Sequence, residues 1–183
     1  MPQPRFTRAR EVFEAFPPVA EMIATPPTDE APARFARALA AGPTPEDAVA
    51  FCAHALPRRE AVWWACVCVR ALLGIRPGEE DDALRAAEAW GSDPGEAQRR
   101  AALARGEGDR RLATAWLALA AAWSGGSLAP PGEPPRPALP HMTARAATIA
   151  ILTALARVTA RERAARLGAC VEAALGLLDP ARS

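Results

Sequence analysis

Residues 57–74 read Pro-Arg-Arg-Glu-Ala-Val-Trp-Trp-Ala-Cys-Val-Cys-Val-Arg-Ala-Leu-Leu-Gly, and this stretch decides the fold. Proline suits the first turn of a helix and glycine suits its end. Between them, every residue from Ala61 to Val69 is apolar, so apolar side chains cover the whole circumference of the helix. We therefore expect a helix that other helices surround, with the rest of the chain packed around it.

The segments on both sides carry similar helix signals. Thr44-Pro45-Glu46-Asp47 places a capping residue, a first-turn proline and acidic groups ahead of apolar residues at helical spacing. An acidic turn at residues 79–82 opens another helical pattern, and Thr159 with Glu162 has the spacing of a capping box. The sequence predicts an all-α fold of seven or eight helices without a strand. The helices form a compact bundle or, alternatively, the stacked hairpins of a short solenoid.

The chain length fits a single α-helical domain spanning residues 1–183. Within it, we expect residues 1–30 to form an N-terminal arm packed on the body and residues 141–180 to form a C-terminal helical hairpin. Residues 128–140 hold six prolines, which lack the N–H donor that a helix needs. They predict an extended, polyproline-type crossover, either a plain connector or a ligand for a polyproline-binding groove.

Composition argues against several classes of partner. The formal net charge is +1, which would not draw the chain to nucleic acid or to an anionic membrane. No apolar run reaches the roughly 18 residues of a membrane span, and the polar, arginine-containing amino terminus does not resemble a signal peptide. We expect a cytoplasmic protein that contacts neither nucleic acid nor membrane.

Histidine and cysteine are too few, and too poorly spaced, to suggest chemistry. There are two histidines, and Cys66 and Cys68 would diverge by roughly 200° around a helix. We expect the four cysteines to be reduced core side chains. The sequence therefore predicts no catalytic residue, no metal site and no cofactor.

Two arginine doublets stand out, Arg58-Arg59 and Arg110-Arg111. Each falls in a predicted first helical turn, where the helix dipole disfavours positive charge. Two interpretations are open: pairing within the chain, for instance with Glu60 or the acidic turn at 79–82, or contact with an anion or a partner protein. Most of the five tryptophans should be core, with one exposed at an interaction surface. The candidate partner or anion contacts are Arg58, Arg59, Arg110, Arg111 and Trp64.

Several segments together resemble a known family. They are Thr-Pro-Glu-Asp-Ala-Val at 44–49, Pro-Arg-Arg-Glu-Ala-Val-Trp-Trp-Ala-Cys at 57–66, Ala89-Trp90 followed by Asp93-Pro94, and Trp-Ser-Gly-Gly-Ser-Leu at 123–128. The pattern resembles an uncharacterised bacterial family of unknown function that is associated with type VI secretion gene clusters. The resemblance implies an accessory or adaptor role, and it supplies no catalytic residue.

The expected function follows from a large helical surface without evident chemistry. We expect a non-enzymatic protein-binding accessory module, a cytoplasmic adaptor or chaperone of a bacterial secretion system, whose partner is another protein. The alternative is an enzyme, or a protein that binds a small anion or metabolite, with an arginine- and tryptophan-lined pocket between helices.

Overall fold

The computed structural model describes residues 5–179, and within that range the fold is all-α, as predicted, with no strand. Its ten helices are α1 (Ala9–Ala15), α2 (Val19–Met22), α3 (Pro32–Ala40), α4 (Asp47–Ala55), α5 (Arg58–Leu73), α6 (Asp82–Ser92), α7 (Glu96–Gly106), α8 (Ala113–Ala122), α9 (Met142–Leu155) and α10 (Ala160–Leu178). The count exceeds the seven or eight expected because α1 and α2, in the arm, form short helices of their own.

The contacts divide the chain into two compact units. The first runs to Pro57 and resumes at Val158, and it contains α1 to α4 and α10; the second is Arg58–Arg157, with α5 to α9. A single domain over residues 1–183 and a helical hairpin over residues 141–180 stay predictions. Helix α9 belongs to the second unit and α10 to the first. Residues 1–4 of the predicted arm and residue 180 of the predicted hairpin lie outside the described range.

In the first unit, α4 contacts the arm helices α1 and α2 as well as α3 and α10. Phenylalanines form the centre of this packing. The ring of Phe35 lies 4.8 Å from that of Phe51 and 6.0 Å from that of Phe13, in edge-to-face arrangements. Phe13 of α1 also lies 6.1 Å from Phe51 of α4. The arm helix α1 therefore shares the aromatic core of its unit.

In the second unit, α8 is central and contacts each of α5, α6, α7 and α9. All its residues except Trp116 are buried, and most of them are alanine or leucine. Gly106 allows α7 to approach α8 closely, because a β-carbon there would lie 2.7 Å from the side chain of Leu119. Helix α5 contacts both α6 and α9, which describes a bundle rather than a linear stack of hairpins.

The proline-rich segment joins α8 to α9, but its conformation differs from the extended crossover predicted. The Leu128 N–H donates to the Arg136 carbonyl at 2.8 Å, and the Glu133 N–H donates to that of Pro130 at 3.2 Å. Gly132 has a φ of 90°, the left-handed value that glycine readily adopts at a tight turn. The segment therefore folds back on itself, because the glycine makes a turn that a polyproline helix excludes.

The start of α8 also differs from the prediction. Asp109 accepts hydrogen bonds from the backbone and the side chain of Arg111, and the Leu112 N–H donates to the Asp109 carbonyl at 3.0 Å. These contacts form a separate turn, and the helix begins only at Ala113. Arg110 and Arg111 therefore precede α8 instead of lying in its first turn.

Candidate functional site

Arg58 and Arg59, in the first turn of α5, donate hydrogen bonds to backbone carbonyls at the ends of other helices in the same unit. Arg59 donates to the carbonyls of Gly91 at 2.8 Å and Ser92 at 3.0 Å, at the end of α6. Arg58 donates to the carbonyl of Ser124 at 2.9 Å, just after α8. These carbonyls carry the negative end of the helix dipole. The observed partners are thus backbone oxygens rather than the carboxylates suggested at Glu60 or residues 79–82.

The second doublet lies on the surface of the turn before α8. Arg111 forms an ion pair with Asp109 at 2.9 Å, and its guanidinium lowers the pKa of that carboxyl group. The guanidinium of Arg110 lies 5.8 Å from the ring of Trp116, whose indole N–H donates to the Arg110 carbonyl at 2.8 Å. Arg110 is therefore paired with an aromatic face, and Arg111 with a carboxylate.

Trp64 requires a correction, because it is only 1% exposed and cannot reach a partner from its place in the core. Its neighbour Trp63 is 47% exposed. Neighbouring residues on a helix point about 100° apart, so the two rings can lie in different surroundings. Of the pair that the sequence analysis singled out, Trp63 is therefore the exposed member and Trp64 the buried one.

One face of α5 is open, contrary to the expectation that helices surround it. Val67 is 47% exposed, like Trp63, and Ala71 follows four residues later on the same face. We call Trp63, Val67 and Ala71 the α5 stripe. A β-carbon added at Gly91 would lie 3.3 Å from the Trp63 ring, so the indole packs against the backbone of α6. The stripe is therefore an apolar surface with its largest side chain already held in place.

A polar cluster lies near the Ala71 end of the α5 stripe. Arg70 donates to Glu88 at 2.5 and 2.9 Å and to Glu80 at 2.5 Å. The hydrogen bond from Arg70, with one from the Gly78 N–H, lowers the pKa of Glu80 to about 2. With Arg59 bonded at the opposite end, charged groups border the stripe and are themselves paired within the unit.

The second unit also contains a cleft of about 310 Å³ at the start of α8. Leu73, Ile75 and Leu112 form an apolar wall of the cleft. Two arginines, Arg111 and Arg157, also line the cleft. We call this the α8 cleft. None of the five tryptophans lines it, unlike the arginine- and tryptophan-lined pocket considered from the sequence.

An acidic side chain in the α8 cleft holds two helices in register. One oxygen of Asp81 accepts from the N–H of Leu84 at 2.8 Å and caps α6. Its other oxygen accepts from the hydroxyl of Thr114, in the first turn of α8, at 2.6 Å. Both oxygens of this carboxylate are therefore engaged in structural hydrogen bonds.

Sequence reasoning missed Leu112 and Arg157 as lining residues. Leu112 is the N-cap of α8, a position where serine, threonine, aspartate or asparagine is usual, and its side chain is 46% exposed. An apolar N-cap is the one local signal that could have indicated this site. Nothing local marks Arg157, because it reaches the cleft only through the packing of α9.

The cysteines lie in apolar surroundings. All four are free and buried, and burial raises the pKa of the Cys52 thiol to about 12 and also raises that of Cys66. The buried His54 bonds through Nδ1 to the Ala50 carbonyl at 2.8 Å, in line with the backbone role suggested by its helical position. Among residues 5–179, no three histidine, cysteine or acidic side chains are grouped as metal ligands.

Between Arg5 and Asp179, none of the helices has both the length and the hydropathy that a membrane span requires. The model of a family of unknown function, DUF6931, matches residues 35–178. Searches of curated proteins and of solved structures found no match. The matched range contains both the α5 stripe and the α8 cleft.

Proposed function

The chain belongs to DUF6931, a family of unknown function, and from that premise we propose that it is a non-enzymatic protein-binding module that contacts its partner through the α5 stripe. The observation that carries this proposal is the exposure of Trp63 and Val67, one turn apart on a well-packed helix. Exposed tryptophan is rare on surfaces that stay in water and common at the centre of protein interfaces.

The setting of the α5 stripe favours binding further. Trp63 packs on the backbone at Gly91, and the remaining side of α5 is buried, so little conformational freedom is lost when a partner covers the surface. The paired arginines at its two ends form a polar rim around an apolar centre, the usual arrangement of an interface.

The decisive test compares two variants of the tagged protein. The double variant Trp63→Ser with Val67→Ser removes the two large side chains of the stripe, whereas Leu139→Ser removes an exposed apolar side chain elsewhere in the unit. We expect the wild type and Leu139→Ser to recover the same protein from a lysate of the native cells. The double variant should recover at least about tenfold less of it. Equal recovery by all three, with unchanged circular dichroism, would contradict the proposal.

A proposal for the cellular role is supported by the resemblance of residues 44–49, 57–66, 89–94 and 123–128 to the family described in the sequence analysis. We propose a cytoplasmic adaptor or chaperone of a bacterial type VI secretion system, whose partner is one of its components. Deleting the gene should reduce the amount of secreted substrate, and complementation with the Trp63→Ser, Val67→Ser double variant should not restore it. Normal secretion after deletion would exclude this role.

One observation favours the alternative of a protein that binds a small anion or metabolite. The α8 cleft contains Arg111 together with Arg157. A rise in melting temperature with phosphate or citrate that disappears in Arg111→Gln and Arg157→Gln would support this alternative. No rise with either anion would count against it.

A further inference from the structure

The α8 cleft combines an apolar wall with cationic groups, and we infer that it holds the carboxyl terminus of a partner protein whose last residue is apolar. The inference rests on the proposed protein-binding function and names the partner segment. It concerns a surface formed by other residues than the α5 stripe, so each can fail without the other.

The dimensions suit a chain end. A volume of about 310 Å³ lies at the lower limit of ligand sites, about 300–1,000 Å³, and is too small for a folded element. Leu73, Ile75 and the half-exposed Leu112 offer the apolar contact that a terminal aliphatic or aromatic side chain needs.

The charges suit a carboxylate. Arg157 is exposed and makes no side-chain hydrogen bond or ion pair with any residue from 5 to 179. Arg111 uses Nε and Nη2 for Asp109, which leaves Nη1 for a second acceptor. Guanidinium groups match a carboxylate in both charge and shape.

The acidic group of the cleft, Asp81, does not compete for these guanidiniums. Its two oxygens are bonded to the Leu84 N–H and the Thr114 hydroxyl. Counting Asp81, Arg111 and Arg157, the ionisable residues that line the cleft carry one net positive charge. The beginning of α8 adds the positive end of its dipole on the same side, since Leu112, Ala113 and Thr114 all line the cleft.

The test uses synthetic hexapeptides with the intact protein. A fluorescent library with valine, leucine, isoleucine, phenylalanine or methionine in the last two positions is titrated as free acid and as C-terminal amide. We expect the free acids to bind and the amides to bind at least about tenfold more weakly, because amidation removes the charge. Absence of binding by the free acids up to about 1 mM, or equal binding by the amides, overturns the inference.

Variants locate the site. Arg157→Gln and Arg111→Gln should each weaken binding of the free acid about tenfold, while Arg145→Gln, an exposed arginine of α9 outside the cleft, should leave it unchanged. Leu112→Ser should weaken binding of free acids ending in apolar residues but not alter the preference for acid over amide. Equal effects of Arg145→Gln and Arg157→Gln, or displacement of the peptide by phosphate at equal concentration, would overturn the assignment to a peptide terminus.

Discussion

Phenylalanine rings from three different helices meet in the first unit, where Phe13, Phe35 and Phe51 lie within 6.1 Å of one another. In the second unit the core is mostly alanine and leucine, and arginines bind the helix ends. Arg99, buried between α7 and α8, donates to the carbonyls of Ala122 and Ser127, both at 2.9 Å, as well as to Glu96.

The difference shows two ways of stabilising a helical unit. Large aromatic side chains supply apolar area and shape in the first unit. The small side chains of the second unit allow close helix packing, but they bury helix ends whose carbonyls need donors. Guanidinium groups from Arg58, Arg59 and Arg99 provide those donors.

The largest expected effect comes from breaking the aromatic core. Phe51→Ala removes a completely buried ring that touches two others, and it should lower the free energy of unfolding by about 3–5 kcal/mol. Urea denaturation followed by circular dichroism measures this loss. The control Leu177→Ala, exposed on α10 of the same unit, should change stability by less than about 0.5 kcal/mol.

The same variant can show whether the two units open separately. Burial raises the pKa of Cys52 to about 12, so this thiol reacts near neutral pH only when the first unit opens. Phe51→Ala should accelerate labelling of Cys52 more than that of Cys66 in the second unit, as read by mass spectrometry. Equal acceleration at both cysteines would mean that the units unfold together.

A smaller effect is expected from Arg99→Gln in the second unit. The change removes donors to two carbonyls and the ion pair with Glu96, so we expect a loss of about 2–4 kcal/mol. Here Cys66 should react faster than Cys52. Arg105→Gln, which removes an exposed pair with Asp82, provides the control and should cost less than about 0.5 kcal/mol.

The smallest effect concerns acid stability. Hydrogen bonds from arginine hold the pKa values of Glu80 and Glu96 at about 2, below the ordinary 4.5. Each carboxylate therefore stabilises the fold fully above pH 4.5, and that contribution is lost as the pH falls toward 2. Hydrogen exchange of the second unit should depend less steeply on pH in this window in the Glu80→Gln, Glu96→Gln double variant. An unchanged slope would show that these pairs contribute no acid sensitivity.

Local patterns predicted local structure well. Pro57 and Gly74 bracket the observed α5, and the acidic turn before α6 does contain its capping residue, Asp81. Errors arose where a turn formed in place of the predicted local structure. Arg110 and Arg111 were expected in the first turn of α8, but Asp109 bonds Arg111 in a separate turn that precedes the helix. Gly132 likewise turned the proline-rich segment back on itself.

Helical spacing, proline and glycine in the sequence by themselves determined that this chain is all-α, because these signals act between residues a few positions apart. Only the tertiary structure decided that Trp64 is buried while Trp63 is exposed, since that depends on which sides of α5 its neighbours cover. It also decided that Arg59 binds the end of α6 and that Arg157 lines the α8 cleft. Because those partners are distant in sequence, no local pattern of residues predicts these contacts.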